Sequence, residues 1–387
     1  TGKFRIIYSA EGCADAEIVI YVCERLDMAS NFVVNDKTLT WDPIVGAVGY
    51  EVTVNGAETT YTTEPTFTSD IFSKSGFYVG VTAKADNKTF MDSYMRTYQN
   101  RIPLKEGELA AFDNPCYELD IVQATPSTLN AAPYDVKYVS EEECAGSTGG
   151  AVKFTMRAGD YGTGLFRVNL KNVISKDATY DGIEIRFKLD SKDYVYSESS
   201  VATTLLLAQP SKDEQRLSRG ITVYREYNDC WQIMKLPKSL FKEYDTYNFL
   251  QFSLYQMTRS MGVGMLYLDY IRMYTGEVET PTGLGISGDK LDWADVDGAK
   301  EYMISVDKIA DKSRELERNY YYATASEIAL TAIGIDPALT TQEYEIKVCA
   351  VPAAETKGSS AWSETIVKRA ALAQDDLLPL DNALYML

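Results

Sequence analysis

Leu39-Thr40-Trp41-Asp42-Pro43-Ile44-Val45-Gly46-Ala47-Val48-Gly49-Tyr50-Glu51-Val52 returns later in the chain as Leu291-Asp292-Trp293-Ala294-Asp295-Val296-Asp297-Gly298-Ala299-Lys300-Glu301-Tyr302-Met303-Ile304. In both copies Leu stands two residues before Trp, Gly-Ala follows at five and six, and Tyr at nine. Two copies of one module flank a different central segment. The organisation is therefore module, insert, module, and function is mostly a question about the insert.

Each copy reads as β-structure. Tyr50, Val52 and Val54 alternate with Glu51, Thr53 and Asn55, which gives one buried and one wet face. Asn55-Gly56 is a type I′ hairpin signal. Phe77, Val79, Val81 and Ala83 alternate again, and the second copy answers with Tyr302, Ile304 and Val306, then Tyr344, Ile346, Val348 and Ala350. The pattern resembles a fibronectin type III domain, over residues 25–103 and again over 279–370. The resemblance implies that Trp41 and Trp293 are core tryptophans rather than ligand stackers, and that Tyr344 is the corner tyrosine. Phe77 stands where Tyr344 stands and has no hydroxyl to donate. Trp41 to Phe77 is 36 residues and Trp293 to Tyr344 is 51, so the second copy carries 15 more. They include the charged run from Lys308 to Arg318, followed by Tyr320-Tyr321-Tyr322, where a longer hairpin or short helical excursion is expected. The three tyrosines read as an amphipathic strand edge ahead of a ligand platform.

Composition removes several chemistries. Histidine is absent, which takes away the commonest general base and zinc ligand and every Ser-His or Cys-His pair. Carboxylate-only catalysis survives that filter. The formal charge of −18 repels phosphate backbones, so nucleic acid is not an expected partner. No run of about 18 apolar residues is present, so no membrane span is expected. The six cysteines form no C-x-x-C pair and no framework spacing, and they read as mostly free, partly buried thiols.

Residues 1–24 hold two strand runs, Phe4 to Ala10 and Glu17 to Cys23, around a turn at Glu11-Gly12-Cys13-Ala14-Asp15. A lone hairpin is marginal in water. The segment resembles the end of a bacterial immunoglobulin-like repeat whose beginning lies outside this chain. The tail 371–387 is apolar for a linker and is expected to dock on a neighbouring surface or to begin another element.

The insert, 104–276, is rich in strand signals. Val152-Lys153-Phe154-Thr155-Met156 alternates, as do Ile183, Ile185, Phe187 and Leu189, and then Leu250, Phe252 and Leu254. Many short strands between turn clusters indicate a sandwich or jelly roll. Four pieces occur in the order known from galactose-binding-like jelly rolls that serve as carbohydrate-binding modules. They are Ala111-Phe112-Asp113-Asn114, Tyr180-Asp181-Gly182-Ile183-Glu184-Ile185-Arg186, Trp231-Gln232-Ile233-Met234-Lys235-Leu236-Pro237 with Phe241, and Leu266-Tyr267-Leu268-Asp269-Tyr270-Ile271-Arg272. The resemblance implies an all-β chain of β-sandwich modules around a central jelly roll.

A sugar needs a flat aromatic surface and neighbouring polar side chains. Tyr224, Arg225, Tyr227 and Trp231 cluster in one stretch, and Arg186, Gln251, Tyr255 and Arg259 complete the candidates. For any single aromatic, a place in the core or at the rim is the competing expectation. The Gly-rich loop Ala158 to Gly164, with Tyr161, fits neither a P-loop nor a dinucleotide fingerprint and is expected at the sandwich rim. The family resemblance further implies a structural calcium ion between first and last strands, with Asp113, Asn114 and Asp269 as candidate oxygen ligands. Asp at strand ends capping turns is the alternative. No segment resembles a catalytic barrel or hydrolase motif.

The reading is a non-catalytic carbohydrate-binding region of a secreted or cell-surface, multimodular bacterial protein, with polysaccharide or glycan as partner and the flanking modules as spacers. The alternative is a structural stalk or adhesin arm that contacts protein through its modules.

Overall fold

The computed structural model describes residues 2–123, 134–156, 162–190, 204–212, 215–216, 221–224, 230–256, 264–309, 316–337 and 342–368. Strands dominate these residues and the helical pieces are single 3-10 turns. The chain is thus all-β, built of sandwich modules.

The two copies of the repeated phrase fold alike. In the first, a four-stranded sheet (Arg96–Asn100, Phe77–Lys84, Gly49–Val54, Thr60–Thr62) faces a three-stranded one (Val33–Asn35, Thr38–Thr40, Thr66–Thr68). In the last, the four strands are Leu316–Ala323, Ala299–Ile309, Glu343–Pro352 and Ile366–Lys368, and the three are Gly285–Ser287, Lys290–Asp292 and Glu327–Ala329. The alternation seen in sequence sets the cores: Trp41, Tyr50, Val52, Phe77, Val79 and Val81 in one, Trp293, Tyr302, Ile304, Tyr344, Ile346 and Val348 in the other. Both tryptophans are core residues.

The extra residues of the second copy lengthen a hairpin. Ala299–Ile309 and Leu316–Ala323 stay paired out to Ile309 and Leu316, whereas in the first copy the corresponding pairing spans only Tyr50–Val52 with Thr60–Thr62. Asn55 and Gly56 both take positive φ, 49° and 65°, as the type I′ turn demands.

The central sandwich has two six-stranded sheets, and its core is the largest of the chain's hydrophobic clusters. One sheet runs Tyr134–Val139, Ala151–Met156, Gly264–Tyr274, Gly182–Asp190, Trp231–Pro237, with Glu108–Ala111 added beside Gly264–Tyr274. The other runs Ile121–Gln123, Gly162–Ser175, Thr246–Gln256, Thr204–Lys212, Gln215–Arg216, with Ile221–Tyr224 added beside Thr204–Lys212. The strands expected at 152–156, 183–189, 231–237, 250–254 and 266–274 all form.

Both neighbours pack on the central sandwich. On one side Tyr78 donates to Glu118 Oε2 at 2.8 Å, the Cys116 thiol donates to the Phe77 carbonyl at 3.0 Å, and Arg101 forks onto Asp120 at 2.6 and 3.1 Å. Burial, reinforced by Glu118, holds the Tyr78 hydroxyl well above the usual phenol range. On the other side lies a larger seam, described below.

The N-terminal strands Gly2–Tyr8 and Ala16–Val22 pair antiparallel as expected. Every residue of both is exposed, including Phe4, Ile6, Ile18 and Ile20. None of the six cysteines is in a disulfide; Cys116, Cys144 and Cys349 are buried and Cys13 is exposed at the hairpin turn. Most of the loop 158–164 and the tail 371–387 lie outside the described residues.

Candidate functional site

Side chains on the first sheet of the central sandwich alternate between the core and the last module. Ile183, Ile185 and Phe187 point inward, which sends Glu184 and Arg186 to the opposite face. That face is covered. Glu184 is fully buried, and its carboxylate accepts from Arg272 at 2.6 Å, Tyr270 at 2.9 Å and the backbone N–H of Ser359 at 2.8 Å. Arg186 is ion-paired to Asp269, and its guanidinium lies 4.9 Å from the Trp231 ring and 5.6 Å from the Tyr322 ring. Burial disfavours the Arg186 charge, but Asp269, Tyr322 and Tyr270 together outweigh it and raise the guanidinium's pKa.

Two candidate sugar contacts, Trp231 and Arg186, are buried in this covered face. Trp231 is 7% exposed, with Nε1 donating to the Ala145 carbonyl at 3.0 Å and its own carbonyl accepting from Tyr322 at 3.1 Å. Arg186 is 8% exposed and fully engaged between Asp269 and two rings. Neither offers a free face to a ligand. Both lie under the last module because Tyr320 and Tyr322, on alternate positions of one strand, reach across, while Tyr321 packs on that module's own core.

The expected calcium ligands are likewise in use. Asp269 accepts from the Thr148 N–H at 2.9 Å, from the Thr148 hydroxyl at 3.3 Å, and from Arg186. Its charge is already balanced by a buried cation. Asn114 donates to Asp113 at 2.7 Å and with its oxygen caps the turn Pro115–Asp120 through the Cys116 N–H. The donor set does not fit calcium; turn capping accounts for Asn114. Among the described residues no group of three His, Cys, Asp or Glu side chains is arranged to hold a metal.

The second sheet is different. Leu250 and Phe252 enter the core, so Phe249 and Gln251 lie on the outer face; Phe166 and Val168 do the same for Arg167. Register places Arg167 opposite Gln251, and Gln251 opposite Gln209 on the next strand. Arg167 Nε donates to Gln251 Oε1 at 3.1 Å, and its guanidinium stands 6.0 Å from the Phe249 ring. Gln251 is 1% exposed, and its Nε2 has no hydrogen-bond partner among the described residues. Tyr255 follows four residues along the same strand, opposite Thr163, and Tyr224 pairs with Thr204 at the end of the added strand. Arg225, Tyr227 and Arg259 lie outside the described residues.

The candidates therefore divide. Gln251, Tyr255 and Tyr224 belong to the second sheet, Trp231, Arg186 and Asp269 to the first. Arg167 and Phe249 are not among the candidates that the sequence suggests, although the alternation Phe166-Arg167-Val168 carries the signal for Arg167.

No family model and no curated protein matches the chain. Among solved structures, carbohydrate-binding modules from the β-sandwich superfamily align at 15% identity over 64% of this chain and 97% of theirs, TM-score 0.31. The family 11 carbohydrate-binding module of Clostridium thermocellum, in complex with a mixed-linked tetrasaccharide, aligns at 15% identity over 40% of this chain and 95% of its own, TM-score 0.24. The chicken CNTN1 FN1-FN3 domains align at 12% identity over 89% and 98%, TM-score 0.18. These scores are low, and the fold class rests on the sheets themselves.

Proposed function

We propose that the central sandwich is a non-catalytic glycan-binding module of a secreted or cell-surface bacterial protein, held between two fibronectin type III-like modules. The ligand lies on the outer face of the second sheet, around Arg167 and Phe249, with Gln251 holding Arg167 in place. The observation that carries this reading is the half-buried Arg167 guanidinium beside the Phe249 ring on that outer face, with Gln251 Oε1 accepting from Arg167 Nε at 3.1 Å. A charged donor next to an aromatic ring serves a sugar's hydroxyl edge and its apolar C–H face together. Affinity electrophoresis against a panel of plant, host and bacterial polysaccharides tests the reading. Retardation by at least one, without release of reducing sugar, is expected; no retardation by any counts against it.

One observation favours the second reading, a structural arm that contacts protein. The N-terminal hairpin exposes apolar side chains on both faces, which two strands alone do not stabilise in water. Sedimentation of the full chain and of an Ile6→Asp variant separates the two. Association that the variant abolishes supports the arm.

A further inference from the structure

We propose that the central sandwich and the last module are one rigid, cooperatively unfolding body, with Glu184 as the residue that joins them. The default for sandwich modules in series is relative motion about a linker. Here the connection is itself hydrogen-bonded into the last module. Thr275 N–H donates to the Thr356 carbonyl at 2.8 Å, Gly358 N–H to the Gly276 carbonyl at 2.9 Å, and Val278 N–H to the Gly358 carbonyl at 3.2 Å. Glu277 forms a parallel bridge with Gly358.

Above the connection the seam has an apolar cluster. Met303, Cys349 and Val351 of the last module are buried against Ile233 of the central sheet, with Tyr320, Tyr322 and Trp362 around them. Tyr320 and Trp362 stack at 5.8 Å. Two polar side chains of the central sheet, Glu184 and Lys235, bond across the seam. The Glu184 carboxylate joins Arg272 and Tyr270 of its own sheet to the Ser359 N–H of the last module. Lys235 answers by donating to the Ser359 and Ser360 carbonyls and pairs with Glu277 at 3.1 Å. Separating the modules would break the Glu184–Ser359 and Lys235–Ser359/Ser360 bonds and expose the apolar side chains of the seam, which is why the seam acts as a lock.

Two measurements on the full chain test this. In hydrogen exchange, the Ser359 amide is expected to be protected to the same degree as amides of Gly182–Asp190, because Ser359 is buried and its N–H is bonded to Glu184 across the seam. Calorimetry of the full chain is expected to show one shared transition for the central and last modules. Tyr322→Ala, which removes the ring over Arg186 and the bond to the Trp231 carbonyl, is expected to split it into two. Tyr322→Phe, which removes only the hydroxyl, keeps one transition at lower temperature. Exchange of Ser359 at the rate of an open amide, or a last module that melts separately in the unaltered chain, overturns the proposal. Because exchange is read on the unaltered chain, a variant that fails to fold does not rescue it.

Discussion

Tyr50 stands edge-on to Trp41, ring centroids 5.2 Å apart at 77°, and accepts a hydrogen bond from the Ile44 N–H at 3.0 Å. Tyr302 repeats this with Trp293, at 5.1 Å and 70°, and accepts from the Val296 N–H at 2.9 Å. The spacing of the repeated phrase is thereby explained: Tyr nine after Trp closes the loop that Gly-Ala turns. Tyr50→Phe and Tyr302→Phe each orphan a backbone donor and are expected to cost about 1–3 kcal/mol. Trp41→Ala or Trp293→Ala opens a core cavity and is expected to cost about 3–5 kcal/mol. Urea denaturation of each variant checks both, and Tyr→Phe changes equal in size to the Trp changes would refute the division of roles.

Arg167 and Trp231 are expected to behave oppositely. Arg167→Ala and Gln251→Ala weaken polysaccharide retention while the melting temperature changes little by comparison. Trp231→Ala removes a ring that packs on Arg186 and bonds Ala145, so it lowers the melting temperature by its buried area, at roughly 3–5 kcal/mol. Loss of retention in Trp231→Ala with an unchanged melting curve would move the site back to the first sheet.

Alkali is expected to loosen the fold through its buried thiols. Burial pushes the Cys349 thiol up to about 12 and the Cys116 thiol up to about 11, against an ordinary value of 9.0. Between pH 9 and those values the unfolded chain releases protons that the folded chain retains. The contribution of these two thiols is therefore constant below pH 9 and falls as pH rises, by up to about 1.4 kcal/mol per pH unit for each group. Chemical denaturation from pH 7 to 11 reads the slope. Cys349→Ser and Cys116→Ser, compared with the parent chain, should each flatten it.

How far the sequence revealed this molecule depends on the range of the interaction. Alternation such as Phe77-Tyr78-Val79 or Ile183-Glu184-Ile185 is local, and it located strands and cores. It also said that Glu184 and Arg186 point away from the core. What it could not say is what covers them, because Ser359 lies 175 residues from Glu184 and Tyr322 far from Trp231. An aromatic next to an arginine looks the same in sequence whether a sugar or another module sits on it. The same holds for Asp269: its partner Arg186 is 83 residues away, so the sequence does not show that its carboxylate is ion-paired.

Asp120 offers the clearest electrostatic test. It is 3% exposed and holds two cations, Arg101 from the first module and Lys171 from the central sandwich. Asp120→Ala leaves both charges without their anion in a partly dry joint. Removing one partner of a buried pair costs roughly 3–5 kcal/mol, and the partial exposure of Arg101 and Lys171 places the expectation at the lower end. Asp70 is the control: it pairs with Lys37 at 2.7 Å, but both side chains are largely in solvent, so Asp70→Ala is expected to cost about 0–1 kcal/mol. Raising salt should shrink the small Asp70 effect and leave most of the Asp120 effect, since solvent ions screen exposed pairs far better than buried ones. Equal losses in the two variants, or equal salt sensitivity, would show that the joint is wet and that Asp120 does not hold the first module in place.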